Sequence, residues 1–229
     1  MRNAKMLLNI ITPCFRPVYL PLIACHLQSL TKFDIRWFIG FEDNLNQETP
    51  LGYKFGFDFR LMFENSFRST LKFEIVCSTR DSRLPSVNGT AQRNEALDVI
   101  SDIDSWVAFL DDDTLLHPEF ERNATRAIEM HSDADGFIFQ QIHNNGGLRM
   151  SVSSDPARSF VHDLPPYNGQ AGCDTGQMLF KRKLIADVRW IHMLAADHRF
   201  YNDVLRDEVS KSKVRWLSVP ASIHNALRK

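Results

Sequence analysis

The sequence predicts an α/β fold: a mostly parallel sheet with helices on both faces, in a single domain over residues 1–229. Three observations predict it. Short apolar runs alternate with stretches whose apolar residues recur at helical spacing, the rhythm of repeated strand–helix–strand units. The clearest run, Trp106-Val107-Ala108-Phe109-Leu110, has no polar break, as a strand covered on both faces requires. It passes directly into Asp111-Asp112-Asp113, at a strand's carboxyl end, where open α/β sheets bind their ligands.

The elements follow in order. Met6–Ile11 is the first strand, closed by Thr12-Pro13, and a helix starting near Val18 carries Leu20, Ile23, Leu27 and Leu30. The second strand, Arg36–Phe41, ends in Glu42-Asp43. Residues 44–56 read as loop, and Phe59, Met62, Phe63 and Phe67 as a short amphipathic helix. Lys72–Cys77 is the third strand. The polar stretch Ser78–Gly89 leads to a helix from Thr90, with Ala96, Leu97 and Ile100 on one face. After the Asp-tipped strand a helix begins near Pro118, a residue suited to a first turn. Gly136–His143 is another strand. Residues 144–172, rich in Gly, Pro and Ser, show no sustained period, and structureless stretches of that length are usually tied to function. A short strand at Gln177–Lys181, a helix from Asp197 to about Val209 and a strand at Val214–Val219 complete the pattern.

Composition narrows the function. A net charge of −1 without any Lys/Arg run gives no reason to expect nucleic acid. Cys14, Cys25, Cys77 and Cys173 lack CxxC spacing, and three lie in or beside apolar segments, which reads as reduced thiols in a cytoplasmic protein. No apolar run approaches the ~18 residues of a membrane span, and the start is too short for a signal peptide. The sequence carries no signal for oligomeric state. Three adjacent carboxylates at a strand end repel one another if desolvated. A divalent cation such as Mg2+ or Mn2+ resolves that repulsion economically, since hard ions take carboxylate oxygens together with a substrate phosphate. A solvated acidic turn is the plainer alternative.

Four segments carry a resemblance. Ile11-Thr12-Pro13-Cys14-Phe15-Arg16-Pro17, Arg36 through Asp43, Gln92-Arg93-Asn94-Glu95-Ala96-Leu97 and Asp111-Asp112-Asp113 occur in an order similar to GT-A-fold glycosyltransferases of the family-2 type. Their details resemble the β-1,3-glucuronosyltransferases of proteoglycan linker synthesis. The likeness covers residues 6–120. It implies a Rossmann-like, GT-A-type sheet and a metal-dependent, inverting hexosyl transfer. The donor would be a nucleotide diphosphate sugar, with UDP favoured because it is common in those families. The acceptor would be a hydroxyl of a glycan or lipid-linked saccharide, as in polysaccharide biosynthesis.

The resemblance also assigns positions. Thr12 and Pro13 would line the nucleotide pocket, and Asp43 would bond the base or ribose. Arg93 would contact base or diphosphate, where a fixed guanidinium fork suits planar and phosphate acceptors. Asp112 would face the ribose, Asp113 would bind Mn2+ or Mg2+, and Asp111 would orient its neighbours. Asp197, opening a helix in Ala195-Ala196-Asp197-His198, would be the base that deprotonates the acceptor, although the usual preceding acid is Ala196 here. Asp197 equally suits a helix N-cap. His224 would bind the metal or the diphosphate. Asp174, between Gly172 and Gly176, would hold sugar hydroxyls or merely shape a turn. Residues 1–120 then read as the nucleotide-sugar half and 121–229 as the acceptor half. Phe55, Phe57, Phe59, Phe63 and Phe67 suit either a core or peripheral contact with the inner face of a membrane.

Other readings stay open. A nucleotidyltransferase could use a related fold, but residues 12–17 lack the glycine expected of its phosphate loop. A nucleotide-sugar-binding module without catalysis would keep the metal site and lack a working base. A metal-dependent phosphohydrolase would release inorganic phosphate.

Overall fold

Alternation of apolar side chains along each strand sorts the core onto two faces of one sheet. The computed structural model describes residues 5–43, 71–79, 89–143, 150–151, 161–162, 173–193, 196–224 and 226–227. The main sheet has eight strands in the order β3-β2-β1-β4-β9-β6-β10-β5. They are β1 (Met6–Pro13), β2 (Phe33–Asp43), β3 (Lys72–Thr79), β4 (Trp106–Phe109), β5 (Leu115–Leu116), β6 (Gly136–His143), β9 (Met178–Lys181) and β10 (Val214–His224). Two further short strands, β7 (Met150–Ser151) and β8 (Val161–His162), form a separate antiparallel pair among the described residues. β1 runs parallel to β2 and β4, β2 to β3, and β6 to β10. β9 is antiparallel to both its neighbours, and β5 is antiparallel to β10.

One face carries Leu8, Ile10, Trp37, Trp106, Ala108 and Phe137 against α1 (Leu20–Gln28) and α3 (Phe120–Met130), through Leu20, Ile23, Leu27, Phe120 and Ala124. The other carries Ile11, Phe38, Val107, Phe109 and Phe180 against α2 (Thr90–Val99) and α4 (Ala196–Val204), through Ala96, Leu97, Phe200 and Val204. Helices therefore cover both faces, as the sequence predicts.

Several boundaries differ from expectation for identifiable reasons. A 3-10 turn at Pro17–Tyr19 precedes α1. Pro118 lies before the helix rather than in its first turn, because Glu119 is the N-cap of α3. The helix expected from Asp197 to Val209 is two: α4 ends at Val204, and Asp207 accepts a hydrogen bond from the Ser210 amide to start α5 (Glu208–Ser212). β10 continues through Pro220, which reads as a strand end in sequence. Register shifts on both sides of Pro220 absorb its missing N–H, and the strand runs on to His224. The expected loop at 44–56 and the Phe-rich segment 55–67 lie outside the described residues, as does most of 144–172.

Candidate active site

β1 lies between β2 and β4, so the chain turns in opposite directions from its two sides. Such a switch point opens a crevice at the carboxyl ends of the strands, here of β1 and β4. Thr12 and Pro13 end β1, and Asp111–Asp113 directly follow β4. The Leu110 amide donates to the Ile11 carbonyl at 2.9 Å, so the two ends stay zipped up to the acidic run.

The three aspartates have three different surroundings. Asp112 is 1% exposed, and both its oxygens are engaged by the turn after β1. Its Oδ2 accepts from the backbone amides of Phe15 and Arg16, at 2.6 and 2.5 Å. Its Oδ1 accepts from Arg16 Nε at 2.9 Å and from Arg16 Nη2. Arg16 Nη1 lies 3.0 Å from Asp113 Oδ2, so one guanidinium spans both carboxylates. Burial works against the Arg16 charge, but the Asp112 hydrogen bond and the Asp112, Asp113 and Asp111 charges outweigh it and raise its pKa. Asp111 Oδ1 accepts from Arg93 Nη2, and its Oδ2 accepts from the Thr175 hydroxyl at 3.2 Å. Burial pushes the Asp111 carboxyl up and Arg93 pulls it down, while Asp174 and Asp113 push it up again; the net shift is upward.

Arg93 reaches this place from the first turn of α2. Gly89, the N-cap, has φ +68°, and a Cβ there would sit 2.3 Å from Pro13 Cβ, so only glycine lets α2 abut the end of β1. The buried Arg93 guanidinium lies over the Trp190 ring, 4.6 Å from its centroid. Asn94 exchanges two 2.9 Å hydrogen bonds with the Trp190 backbone. Trp190 stacks on Phe200 of α4 at 4.3 Å, and Phe109 meets both rings edge-on at 5.2 and 5.3 Å. One aromatic block therefore ties α2, β4 and α4 together.

On the other side, Asp174 caps the turn before β9. Its Oδ1 is within 3.3 Å of donors on Gln141, Thr175 and Gly176, and its Oδ2 lies 3.8 Å from His224 Nδ1. That last separation is too long for a hydrogen bond. β5 pairs with β10 as Leu116 with Ser222 and Leu115 with Ile223, and β10 ends one residue later at His224, as β5 begins two residues after Asp113. The Leu227 amide donates to the Asp113 carbonyl at 3.1 Å. Asp197 lies in the first turn of α4, and its charge and that of Asp174 add to burial in raising the Cys173 thiol pKa. Burial lowers the pKa of the adjacent His198, with Asp174 opposing.

The structure thus brings Asp111, Asp112, Asp113, Arg93, Asp174 and His224 into one region, with Thr12 and Pro13 at its floor. Thr12 is turned inward, its Oγ1 accepting from Trp37 Nε1 at 3.0 Å. Asp43 ends β2 opposite Thr79, and its side chain lies outside the described residues. The main participants missed by sequence reasoning are Arg16, Gln141, Thr175 and Trp190. Gln141 had a visible signal, a polar residue within an apolar strand. Arg16 had a weaker one, its place just past a strand end.

Metal-ligand chemistry fits part of this region. The buried Asp113 carboxylate is a donor that Mn2+ and Mg2+ both accept, and the His224 imidazole is one that Mn2+ accepts. Among the described residues no three His, Cys, Asp or Glu side chains form a ready cage. Such an ion would be of the kind held by one or two carboxylates and completed by substrate phosphates.

The fold is of the GT-A type. No family model matches the chain, and no curated protein matches it in sequence. Among solved structures it is similar to S. aureus TarS 1-349, with 17% identity and TM-score 0.62 over 95% of this chain and 60% of that one. It is also similar to the mannosyltransferase PcManGT of Pyrobaculum calidifontis, solved with GDP-Man and Mn2+, with 11% identity and TM-score 0.61 over 99% and 59%. The chain therefore spans about three fifths of the length of those solved chains. At such identities the likeness shows the fold. No helix among the described residues is long and apolar enough to cross a membrane.

Proposed function

We propose that the chain is a metal-dependent glycosyltransferase, moving a hexose from a nucleotide diphosphate donor to a hydroxyl of a glycan or lipid-linked saccharide. The observation that carries this reading is the acidic run at the β1/β4 switch point, flanked by two arginines and faced by Asp174 and His224. The Mn2+ and GDP-Man of the P. calidifontis mannosyltransferase lend it support by analogy of fold. A UDP donor and the glucuronosyltransferase-like specificity rest on the sequence resemblance alone.

In this reading the first half of the chain binds the donor and the second half shapes the acceptor site. A divalent ion at Asp113 would supply Lewis-acid stabilisation of the diphosphate as it leaves. Arg93 adds a fixed positive charge, pre-oriented by Trp190 and Asp111, where negative charge grows on the leaving group. Thr12, Pro13, Asp43 and Asp112 would border the nucleoside. Asp174 would order sugar hydroxyls through the oxygen turned to His224. Asp197 would take the proton from the attacking hydroxyl on the face opposite the leaving group, and a single displacement inverts the anomeric centre. Cys14, Cys25 and Cys173 are free thiols, which suits a reducing compartment. Burial pushes the Cys14 and Cys173 thiols well up, so neither serves as a nucleophile.

The test is calorimetric titration of UDP, GDP, CDP and dTDP, each with and without Mn2+, into the protein and its Asp113→Ala variant. One diphosphate should bind with Mn2+, and Asp113→Ala should lose most of that affinity. Metal-dependent binding with no transfer or donor hydrolysis would point to a binding module. Absence of binding by any diphosphate would overturn the reading.

A further inference from the structure

A divalent ion at Asp113 meets a resident cation. Arg16 Nη1 lies 3.0 Å from Asp113 Oδ2, while the same side chain is forked onto Asp112 Oδ1 through Nε and Nη2. The two attachments differ in strength. Asp112 is bound to Arg16 by two side-chain donors and also by the Phe15 and Arg16 amides, so that contact is built into the turn after β1. Asp113 is bound to Arg16 by a single one of its nitrogens. An ion taking that Asp113 oxygen must displace Nη1 and can leave the fork on Asp112 in place.

We propose that Arg16 is the placeholder cation of the acidic tip: it competes with the divalent ion for Asp113 and, once displaced, is satisfied by the donor's diphosphate. This rests on the donor-site reading above. The charge count supports it. With all four carboxylates ionised, Asp111, Asp112, Asp113 and Asp174 carry four negative charges against the two positive ones of Arg16 and Arg93. A divalent ion offsets that excess among these six described residues. A guanidinium pushed off Asp113 beside that ion keeps its fork on Asp112, while its Nη1 is released to take a diphosphate oxygen. Ion and nucleotide therefore bind cooperatively, each raising the other's affinity by the same factor, and Arg16 is the source of part of that coupling. Arg16 is about one third exposed, so its free end has room to turn while Asp112 anchors it.

The experiment measures Mn2+ binding from the electron paramagnetic resonance of the free hydrated ion, with and without saturating UDP, GDP, CDP or dTDP. It uses the full chain, Arg16→Ala, Arg16→Gln and Asp113→Ala. Arg16→Gln keeps a donor for Asp112 and removes the charge, so the turn after β1 survives even where alanine unfolds it. Removing a charge-assisted contact to Asp113 should tighten Mn2+ alone by roughly tenfold or more, and the enhancement by nucleotide should shrink in proportion. A merely structural role predicts weaker Mn2+ binding in the variants, which would overturn the proposal. Unchanged Mn2+ affinity in folded Arg16→Gln, beside wild-type protein that binds ion and nucleotide together, would overturn it while sparing the donor-site reading. Nucleotide binding that needs Arg16 and no ion would also overturn it, with arginine replacing the metal rather than yielding to it. Wild-type protein binding neither Mn2+ nor any diphosphate would remove the donor-site reading and this inference together.

Discussion

At the scale of single residues, neighbouring side chains of one type take unlike roles because different elements meet them. Asp112 fastens the turn after β1, Asp111 joins α2 to the turn before β9, and Asp113 lies against Arg16's outer nitrogen. Asp197 stands on a different element, in the first turn of α4, so its role can be tested separately. Asp197→Asn keeps shape and removes basicity, so turnover should fall by about 10²-fold or more while nucleotide affinity stays within about twofold. Steady-state kinetics beside calorimetry checks this, and full activity in the variant would remove Asp197 as the base. The acidic run and Arg93 were legible in the sequence because they sit at a strand end and in a helix's first turn. Arg16 was not, since its partners lie 96 and 97 positions along the chain and only the β1–β4 pairing brings them near.

At the scale of elements, α4 is positioned by aromatic contact rather than by its own propensity. Phe200 is fully buried, stacked on Trp190 and edge-on to Phe109, and it sits three residues beyond Asp197. Phe200→Ala should cost about 3–5 kcal/mol of stability by opening a cavity there. It should also lower turnover more than nucleotide affinity, because Asp197 shares α4 with Phe200, whereas Arg93 keeps its Asp111 contact and Trp190 its backbone bonds to Asn94. Urea unfolding and kinetics measure the two effects, and Phe200→Leu, which refills most of the volume, should recover much of both. A turnover loss without a stability loss would contradict this account of α4. Strand positions were readable from continuous apolar runs, which survive any tertiary arrangement. The ends of β10 and α4 were not. Pro220 is tolerated through register shifts that only the neighbouring β6 defines, and the break after Val204 is set by the Asp207 cap.

At the scale of the whole molecule, the fold buries imidazoles that the unfolded chain exposes, and this links stability to pH. Burial lowers the pKa of His26, His117 and His198, with Glu119 opposing at His117 and Asp174 at His198. The unfolded chain therefore binds protons more readily than the folded one across the window below about pH 6.5. Unfolding free energy rises with pH wherever the unfolded state holds more protons, so stability should fall on acidification from about pH 7 to about 5.5. Asp111 acts in the opposite sense. Its carboxyl is raised from the ordinary 3.8, so the folded state takes that proton more readily, and its contribution is largest in acid and lost as pH climbs through the raised value. Thermal midpoints of the wild type alone would mix the two effects. The difference between His198→Gln and wild type cancels the Asp111 contribution, since both proteins carry it. That difference should be smallest near pH 7 and should move in favour of the variant as pH falls, because only the wild type must keep His198 neutral to stay folded. A difference independent of pH would mean that His198 is solvated enough to protonate in place, and the electrostatic account of the α4 side of the crevice would have to be redrawn around Asp174.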